Sequence, residues 1–118
     1  MIEYADMVRT LVKPGDLIVQ ELTAENAHIL HMAVGVSGEA GELLDAIKKG
    51  VIYNKSFDRP NVIEELGDLE FYMEGLRQGF NITREETLEA NKVKLGQRYS
   101  NAIYSDTQAQ ERADKNGN

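Results

Sequence analysis

Four acidic residues stand out because they occur as two pairs with helical spacing. Glu39 and Glu42 are three residues apart, as are Glu65 and Asp68. Side chains three residues apart project from neighbouring positions on one helix face, so each pair offers two carboxylates to a common point. Two such helices packed side by side would bring four carboxylates together. Because carboxylates repel one another unless a cation neutralises them, the pattern predicts a Mg²⁺ site, with Mn²⁺ as a substitute.

Acidic pairs at this spacing are also typical of solvated helix faces, and one pair alone favours that interpretation. Here each pair lies on the flank of an apolar stripe, beside Leu43 in one case and beside Leu66 and Leu69 in the other. Glycines also interrupt both predicted helices, although each costs about 1 kcal/mol relative to Ala in a helix interior. A facing helix or a ligand is therefore expected to need that space. The glycines are Gly35, Gly38, Gly41 and Gly67.

The elements that must position these acids are predicted from apolar periodicity and capping residues. Pro14 and Pro60 interrupt the periodicity and mark helix boundaries, while Thr23 and Thr83 are predicted N-caps. The expected fold class is therefore all-α, with a four-helix-bundle-like domain. The predicted helices cover residues 2–12, about 23–50, 61–79 and about 83–99.

Length and composition predict one small domain. The 118 residues, 42% of them hydrophobic and 28% charged, suffice for one packed core. Residues 1–105 are assigned to this domain, and residues 106–118 to a polar, loosely ordered C-terminal tail. Because a small helical domain buries a limited fraction of its surface, a homodimer or homotetramer is expected.

The net charge, the lack of cysteine and the lack of leader or membrane-spanning segments limit the kinds of partner expected for this chain. A net charge of −7 opposes the positive field that binding to a nucleic-acid polymer requires. The chain has no cysteine, which excludes thiolate metal sites and cysteine nucleophiles. Neither a leader segment nor an apolar run of membrane-spanning length is evident, so a cytoplasmic protein without a membrane partner is expected.

Two segments together resemble a known family. Residues 38–43 (GEAGEL) followed by residues 64–69 (EELGDL) are similar to the paired ExxE and ExxD motifs of the MazG-like, all-α nucleoside triphosphate pyrophosphohydrolases. Downstream, residues 91–99 (NKVKLGQRY) resemble that family's N-x-x-K-L-x-x-R-Y segment. Each motif alone is weak, and it is their order and combination that carry the resemblance, which extends over roughly residues 28 to 99.

The resemblance implies an activity and a set of residues for it. It implies that Glu39, Glu42, Glu65 and Asp68 are the catalytic acids and bind the Mg²⁺ that holds a nucleoside triphosphate, which is cleaved to the monophosphate and pyrophosphate. The absence of a covalent nucleophile fits metal-assisted attack by water. The family also places three residues of the downstream segment near the phosphates and an aromatic residue near the nucleotide. These positions are Asn91, Lys94, Arg98 and Tyr72.

Two further candidates come from their positions alone. Lys48 follows the first acidic pair and is placed to reach a phosphate, although a helix-end lysine often only complements the helix dipole. His31 lies about two turns before Glu39 and is a candidate contact for the base or sugar. The alternative for His31 is a buried, hydrogen-bonded core histidine.

Rival interpretations and the substrate remain open at this point. Glu25 and His28 form one ExxH pair, but a ferritin-like di-iron site needs two such pairs and two further glutamates. A non-catalytic helical dimerisation or regulatory module with solvated acidic faces is the second alternative. The segment after Tyr99 departs from the usual end of the family and resembles phage MazG-like enzymes that act on purine deoxynucleotides, which suggests dGTP or dATP as substrate.

Overall fold

All regular structure that the computed structural model describes is helical, which confirms the all-α prediction. The structure describes residues 1–99, 104–112 and 115. Four helices match the predicted ones, and two short helices, α2 and α6, were not predicted. The helices are α1 (Tyr4–Leu11), α2 (Gly15–Glu21), α3 (Ala24–Val51), α4 (Arg59–Gly79), α5 (Arg84–Arg98) and α6 (Asp106–Glu111).

The chain divides into two compact units, Met1–Gly79 and Phe80–Asn118. The first unit contains α1 to α4, and the second contains α5 and α6. The predicted division between a domain and a tail at residue 105 stays a prediction. Across the described residues, no helix is long and apolar enough to cross a bilayer.

Side-chain caps set the beginnings of the two long helices of the first unit. The Thr23 hydroxyl accepts a hydrogen bond from the Asn26 backbone N–H at 3.1 Å, which confirms the predicted cap of α3. The Asp58 carboxylate accepts one from the Asn61 N–H at 3.1 Å where α4 begins. Pro60 lies in the first turn of α4, where its missing N–H costs no helical hydrogen bond.

The small core of the first unit lies between α3 and α4. Met32 and Ala46 on α3 are the buried apolar residues among those described. Two glycines let large side chains approach closely: the Tyr72 ring occupies the space beside Gly35, and Met32 that beside Gly75. A Cβ atom at either glycine would overlap these side chains. Close approach between α3 and α4 therefore depends on both glycines.

The three glycines closest in sequence to the acidic residues have a different environment. A Cβ atom added at Gly38, Gly41 or Gly67 would meet no atom within 4 Å. The expectation that these residues make room for a neighbour is thus met at Gly35 by Tyr72, whereas the other three face open space in the single chain.

The second unit begins with a capped helix. The Thr83 hydroxyl accepts a hydrogen bond from the Glu86 N–H at 3.0 Å, which confirms the predicted N-cap of α5. Further along, Ser105 accepts one from the Gln108 N–H at 3.3 Å and caps α6. This short helix lies in the segment whose polar composition predicted loose order. Composition does not reveal it because six residues carry no apolar periodicity.

Candidate functional site

Three of the four predicted acids meet between α3 and α4. Glu39 on α3 and the pair Glu65 and Asp68 on α4 each offer a carboxylate oxygen, and these oxygens all lie within 4.8 Å of one another. The spacing of three residues places Glu65 and Asp68 on the same face of α4, and the packing of Tyr72 against Gly35 brings Glu39 alongside them. We refer to Glu39, Glu65 and Asp68 as the carboxylate triad.

Glu65 is the most enclosed member of the triad. Its side chain is half-buried, and its Oε2 atom is buried with no hydrogen-bond partner among the described residues. Burial raises the pKa of Glu65 above its ordinary value of 4.5, a hydrogen bond with Glu39 raises it further, and the charges of Glu39, Asp68 and Glu42 add to the effect. The neighbouring carboxylates and the enclosed position therefore disfavour a negative charge on Glu65.

The oxygen positions suit a small divalent cation. Mg²⁺ binds oxygen ligands at about 2.1 Å, so ligands on opposite sides of the ion lie about 4.2 Å apart. The triad oxygens lie within 4.8 Å of one another, so small side-chain rotations would bring all three to one ion. A cation would also supply the partner that Glu65 Oε2 lacks. The triad thus fits a hard, oxygen-ligated cation such as Mg²⁺ or Mn²⁺.

The fourth predicted acid, Glu42, lies outside this close group. Its side chain is exposed on α3, and its carboxylate is not among the oxygens that lie within 4.8 Å of one another. Its charge nevertheless contributes to the raised pKa of Glu65, so the two carboxylates interact electrostatically. A direct ligand role for Glu42 stays a prediction.

An aromatic cluster lies one helical turn from the triad. Tyr72 follows Asp68 by four residues on α4, and its half-buried ring covers Gly35, which precedes Glu39 by four residues on α3. The rings of His31 and Tyr72 meet edge to face with centroids 6.1 Å apart. Because His31 is exposed, its interpretation as a buried core histidine is wrong. The predicted pair Tyr72 and His31 thus forms one surface near the acids.

Lys48 is held away from the triad. Its ammonium lies 5.6 Å from the centre of the Tyr53 ring, a cation–π contact near the end of α3. Lys48 follows Glu39 by nine residues, about two and a half turns, so the two residues are on opposite faces of the helix. The structure therefore favours a helix-end role for Lys48 over phosphate binding.

The three predicted phosphate contacts lie on α5, in the second unit. Asn91, Lys94 and Arg98 are spaced by three and four residues and so share one face of that helix. Lys94 and Arg98 are half-buried, and Asn91 is exposed. Their role toward a nucleotide stays a prediction. Residues 100–103, which begin the segment that suggested a purine substrate, lie outside the described residues.

One buried cation was not singled out from the sequence. Arg77 on α4 is buried, and its guanidinium pairs with Glu74 at 3.0 Å and with Glu70 at 3.7 Å. A buried charge is tolerated when it is paired in this way. The signal in the sequence is the spacing of these residues by four and three, which places them on one face of α4. This cluster lies on the helix that carries two triad residues.

The ferritin-like alternative gains no support from the described part of the chain. His28 uses its Nε2 atom in a 2.9 Å hydrogen bond with the Gly75 carbonyl oxygen and so links α3 to α4. Within that part of the chain, the triad is the one group of three or more acidic or histidine residues close enough to share an ion. Glu25 and His28 do not belong to it.

The chain was also compared with known proteins. No protein-family model, no curated protein and no solved structure matches it. The similarity to the MazG-like enzymes therefore depends on the motifs at residues 38–43, 64–69 and 91–99. Membership of that family stays a prediction.

Proposed function

We propose that this chain is a Mg²⁺-dependent nucleoside triphosphate pyrophosphohydrolase that converts a nucleotide to its monophosphate and pyrophosphate. The observation that carries the proposal is the convergence of Glu39, Glu65 and Asp68 at one point between α3 and α4. These acids come from the two motifs that resemble the MazG-like family. A solvated acidic face would not require a half-buried glutamate with a raised pKa and an unpartnered oxygen.

In this proposal the triad holds Mg²⁺, with Mn²⁺ as a substitute, and Glu42 adds a fourth negative charge nearby. When bound, the cation lowers the pKa of coordinated water and neutralises phosphate oxygens. Glu65 is suited to a ligand role because its carboxylate is poorly solvated and gains most from a cation. The exposed Asp68 leaves the site open to solvent on one side, where a substrate can enter.

The proposed substrate is a nucleoside triphosphate, with purine deoxynucleotides such as dGTP and dATP as the first to test. Tyr72 lies one turn from Asp68, and its edge-to-face pair with His31 offers aromatic surface to a base or sugar. Asn91, Lys94 and Arg98 are proposed phosphate contacts because an acidic protein needs local cations to bind a polyanion. We also propose that the helices form a four-helix-bundle-like fold and that the chain assembles as a homodimer or homotetramer.

The decisive experiment measures pyrophosphate release from a panel of NTPs and dNTPs with Mg²⁺. We expect the wild type to release pyrophosphate, and Glu65→Gln and Asp68→Asn each to lower kcat/KM by more than about 100-fold. Losing a metal ligand should cost more than losing a residue that only orients a ligand, which costs about 10- to 100-fold. Glu64→Gln is the matched control, since Glu64 is exposed beside Glu65 in the sequence and lies outside the triad.

The outcomes separate the enzyme from the rival module. If no nucleotide is cleaved, or if the triad variants cleave as fast as Glu64→Gln, the catalytic proposal fails. A non-catalytic dimerisation module predicts no turnover and no response to Mg²⁺. Circular dichroism on each variant shows whether a loss of activity reflects a loss of helical structure.

A further inference from the structure

A hydrogen bond from His28 links the start of α3 to the end of α4. The His28 ring nitrogen Nε2 lies 2.9 Å from the backbone carbonyl oxygen of Gly75. Because a carbonyl oxygen can only accept a hydrogen bond, Nε2 carries the proton and donates. The His28 side chain is exposed, so burial does not fix its position. The hydrogen bond and the packing around it therefore have to do so.

Two glycines of α4 make room for this part of α3. Gly75 and Gly79 are four residues apart and so lie on one face of α4. A Cβ atom at Gly75 would overlap the Met32 side chain. One at Gly79 would lie 3.2 Å from the His28 Cδ2 atom. The His28 ring therefore packs against one glycine and donates a hydrogen bond to the other, and these two contacts together define its position.

The carboxylate triad belongs to the same series of contacts between α3 and α4. The two helices are antiparallel, since the contacts move to earlier residues of α4 as α3 advances. Gly35 contacts Tyr72. One step of four residues from this contact, forward along α3 and back along α4, leads to Glu39 and Asp68. His28 precedes Glu39 by eleven residues, roughly 16 Å along the helix axis. The helix pair thus carries the His28 hydrogen bond and, about three turns away, the triad.

A hydrogen bond controls the placement of two helices in a way that apolar packing does not. Contacts between apolar atoms are individually weak and have no preferred direction, so a small shift along the helix exchanges one contact for another. A hydrogen bond, in contrast, weakens steeply as its distance or angle departs from the optimum. Mg²⁺ demands near-ideal geometry from its oxygen ligands. The triad therefore gains from a directional contact that fixes the position of α3 on α4.

We infer that His28 is a positioning residue for the carboxylate triad. Its hydrogen bond to Gly75 holds α3 on α4 in the arrangement that brings the Glu39 carboxylate to those of Glu65 and Asp68. His28 is not part of the close group of oxygens, so it acts through the two helices. The inference rests on the proposed function where it concerns a bound cation, whereas the effect on the helix arrangement is independent of any cation.

Two amide variants separate the hydrogen bond from the rest of the His28 ring. The side-chain NH₂ group of glutamine can take the place of Nε2, whereas that of asparagine corresponds to Nδ1 and is too short to reach Gly75. We expect His28→Gln to bind Mn²⁺ like the wild type. In His28→Asn the apparent Kd for Mn²⁺ should rise as the population of the competent arrangement falls. The expected rise is about 2- to 12-fold, the effect of one hydrogen bond.

Two measurements on the nucleotide-free protein test this expectation. Electron paramagnetic resonance of free Mn²⁺ gives the Kd of each variant, with Glu25→Gln, an exposed residue one turn before His28, as the control. The second measurement, in EDTA, is the distance between spin labels on α3 and α4. The chain has no cysteine, so Leu44→Cys and Phe71→Cys, both at exposed positions, define the labelled sites. An excess of unlabelled protein restricts the measured distances to those within one copy.

We expect the distance distribution to broaden or shift in His28→Asn and to stay as in the wild type in His28→Gln. An unchanged distribution in His28→Asn, or equal changes in both amide variants, would overturn the inference. If the wild type binds no Mn²⁺, the proposed cation site fails and the distances in EDTA still decide the role of His28. If circular dichroism shows that His28→Asn loses helical structure, His28→Gln decides: a wild-type distance distribution supports the inference, and an altered one overturns it.

Discussion

At the residue scale, Glu65 differs most clearly from an acid on a solvated helix face. Its pKa is raised first by burial and then by a hydrogen bond and the charges of neighbouring acids. The folded protein therefore binds the Glu65 proton more tightly than the unfolded chain does. The resulting stability is fully present below the ordinary pKa of 4.5 and is lost as pH rises through the raised value.

The loss of stability when Glu65 ionises leads to a prediction for Glu65→Gln in EDTA, which removes divalent cations. The amide cannot ionise, so we expect the variant to have a higher Tm than the wild type at neutral pH and a smaller advantage near pH 4.5. Thermal unfolding followed by circular dichroism at both pH values measures the difference. Glu64→Gln is expected to show no such pH-dependent gain, and a Glu65→Gln variant that is less stable than the wild type at neutral pH would contradict the prediction.

A second prediction concerns Mg²⁺ itself. A cation that binds only the folded state stabilises it by about 2.7 kcal/mol at a concentration 100 times Kd. We therefore expect Mg²⁺ to raise the Tm of the wild type at neutral pH and to raise that of Glu65→Gln much less. NaCl at matched ionic strength controls for screening. Equal shifts with both salts would argue against a bound cation.

At the element scale, the contact between α3 and α4 depends on Gly35, because the Tyr72 ring of α4 lies directly against the α3 backbone there. A Cβ atom at Gly35 would overlap the Tyr72 ring. We expect Gly35→Ala to lower the free energy of unfolding by about 1–3 kcal/mol, because overpacking outweighs the higher helix propensity of alanine. Urea unfolding measures this difference.

Gly67→Ala is the matched control for this substitution. Gly67 lies in the interior of α4, and its added Cβ atom meets nothing within 4 Å. We expect the control to be stabilised by up to about 1 kcal/mol through helix propensity. If Gly35→Ala were stabilised to the same extent, the packing of Tyr72 against Gly35 would be wrong.

Elements with local signals were predictable from the sequence, and those that depend on packing were not. Thr23 and Thr83 cap helices through hydrogen bonds to residues three positions later, so local sequence was sufficient. Helix α2 has seven residues, too few for a repeated apolar period. The packing of α3 against α4 brings Glu39, but not Glu42, into the close group. Because residues three apart differ by about 60° around a helix, spacing alone could not distinguish them.

At the scale of the whole molecule, the single chain covers little of its apolar surface. The buried apolar residues among those described are Met32 and Ala46, and α1 and α2 contain none. Exposed apolar residues on an otherwise highly charged chain are typical of a protein whose core is completed by association. If copies of the chain associate as proposed, stability and assembly are linked, because association buries apolar surface that folding of one copy leaves exposed.

This linkage gives a prediction that needs no knowledge of the substrate. If the proposed homodimer or homotetramer forms, unfolding also separates the copies, and mass action makes Tm rise with protein concentration. We expect the wild-type Tm to rise by several degrees over a 100-fold increase in concentration, since about 1 kcal/mol corresponds to 4–8 °C in a domain of 60–100 residues. Val34→Glu, which places a carboxylate on the exposed apolar face of α3, is expected to lower this dependence of Tm on concentration if that face takes part in the assembly. A wild type whose Tm is independent of concentration would show that each copy is stable alone.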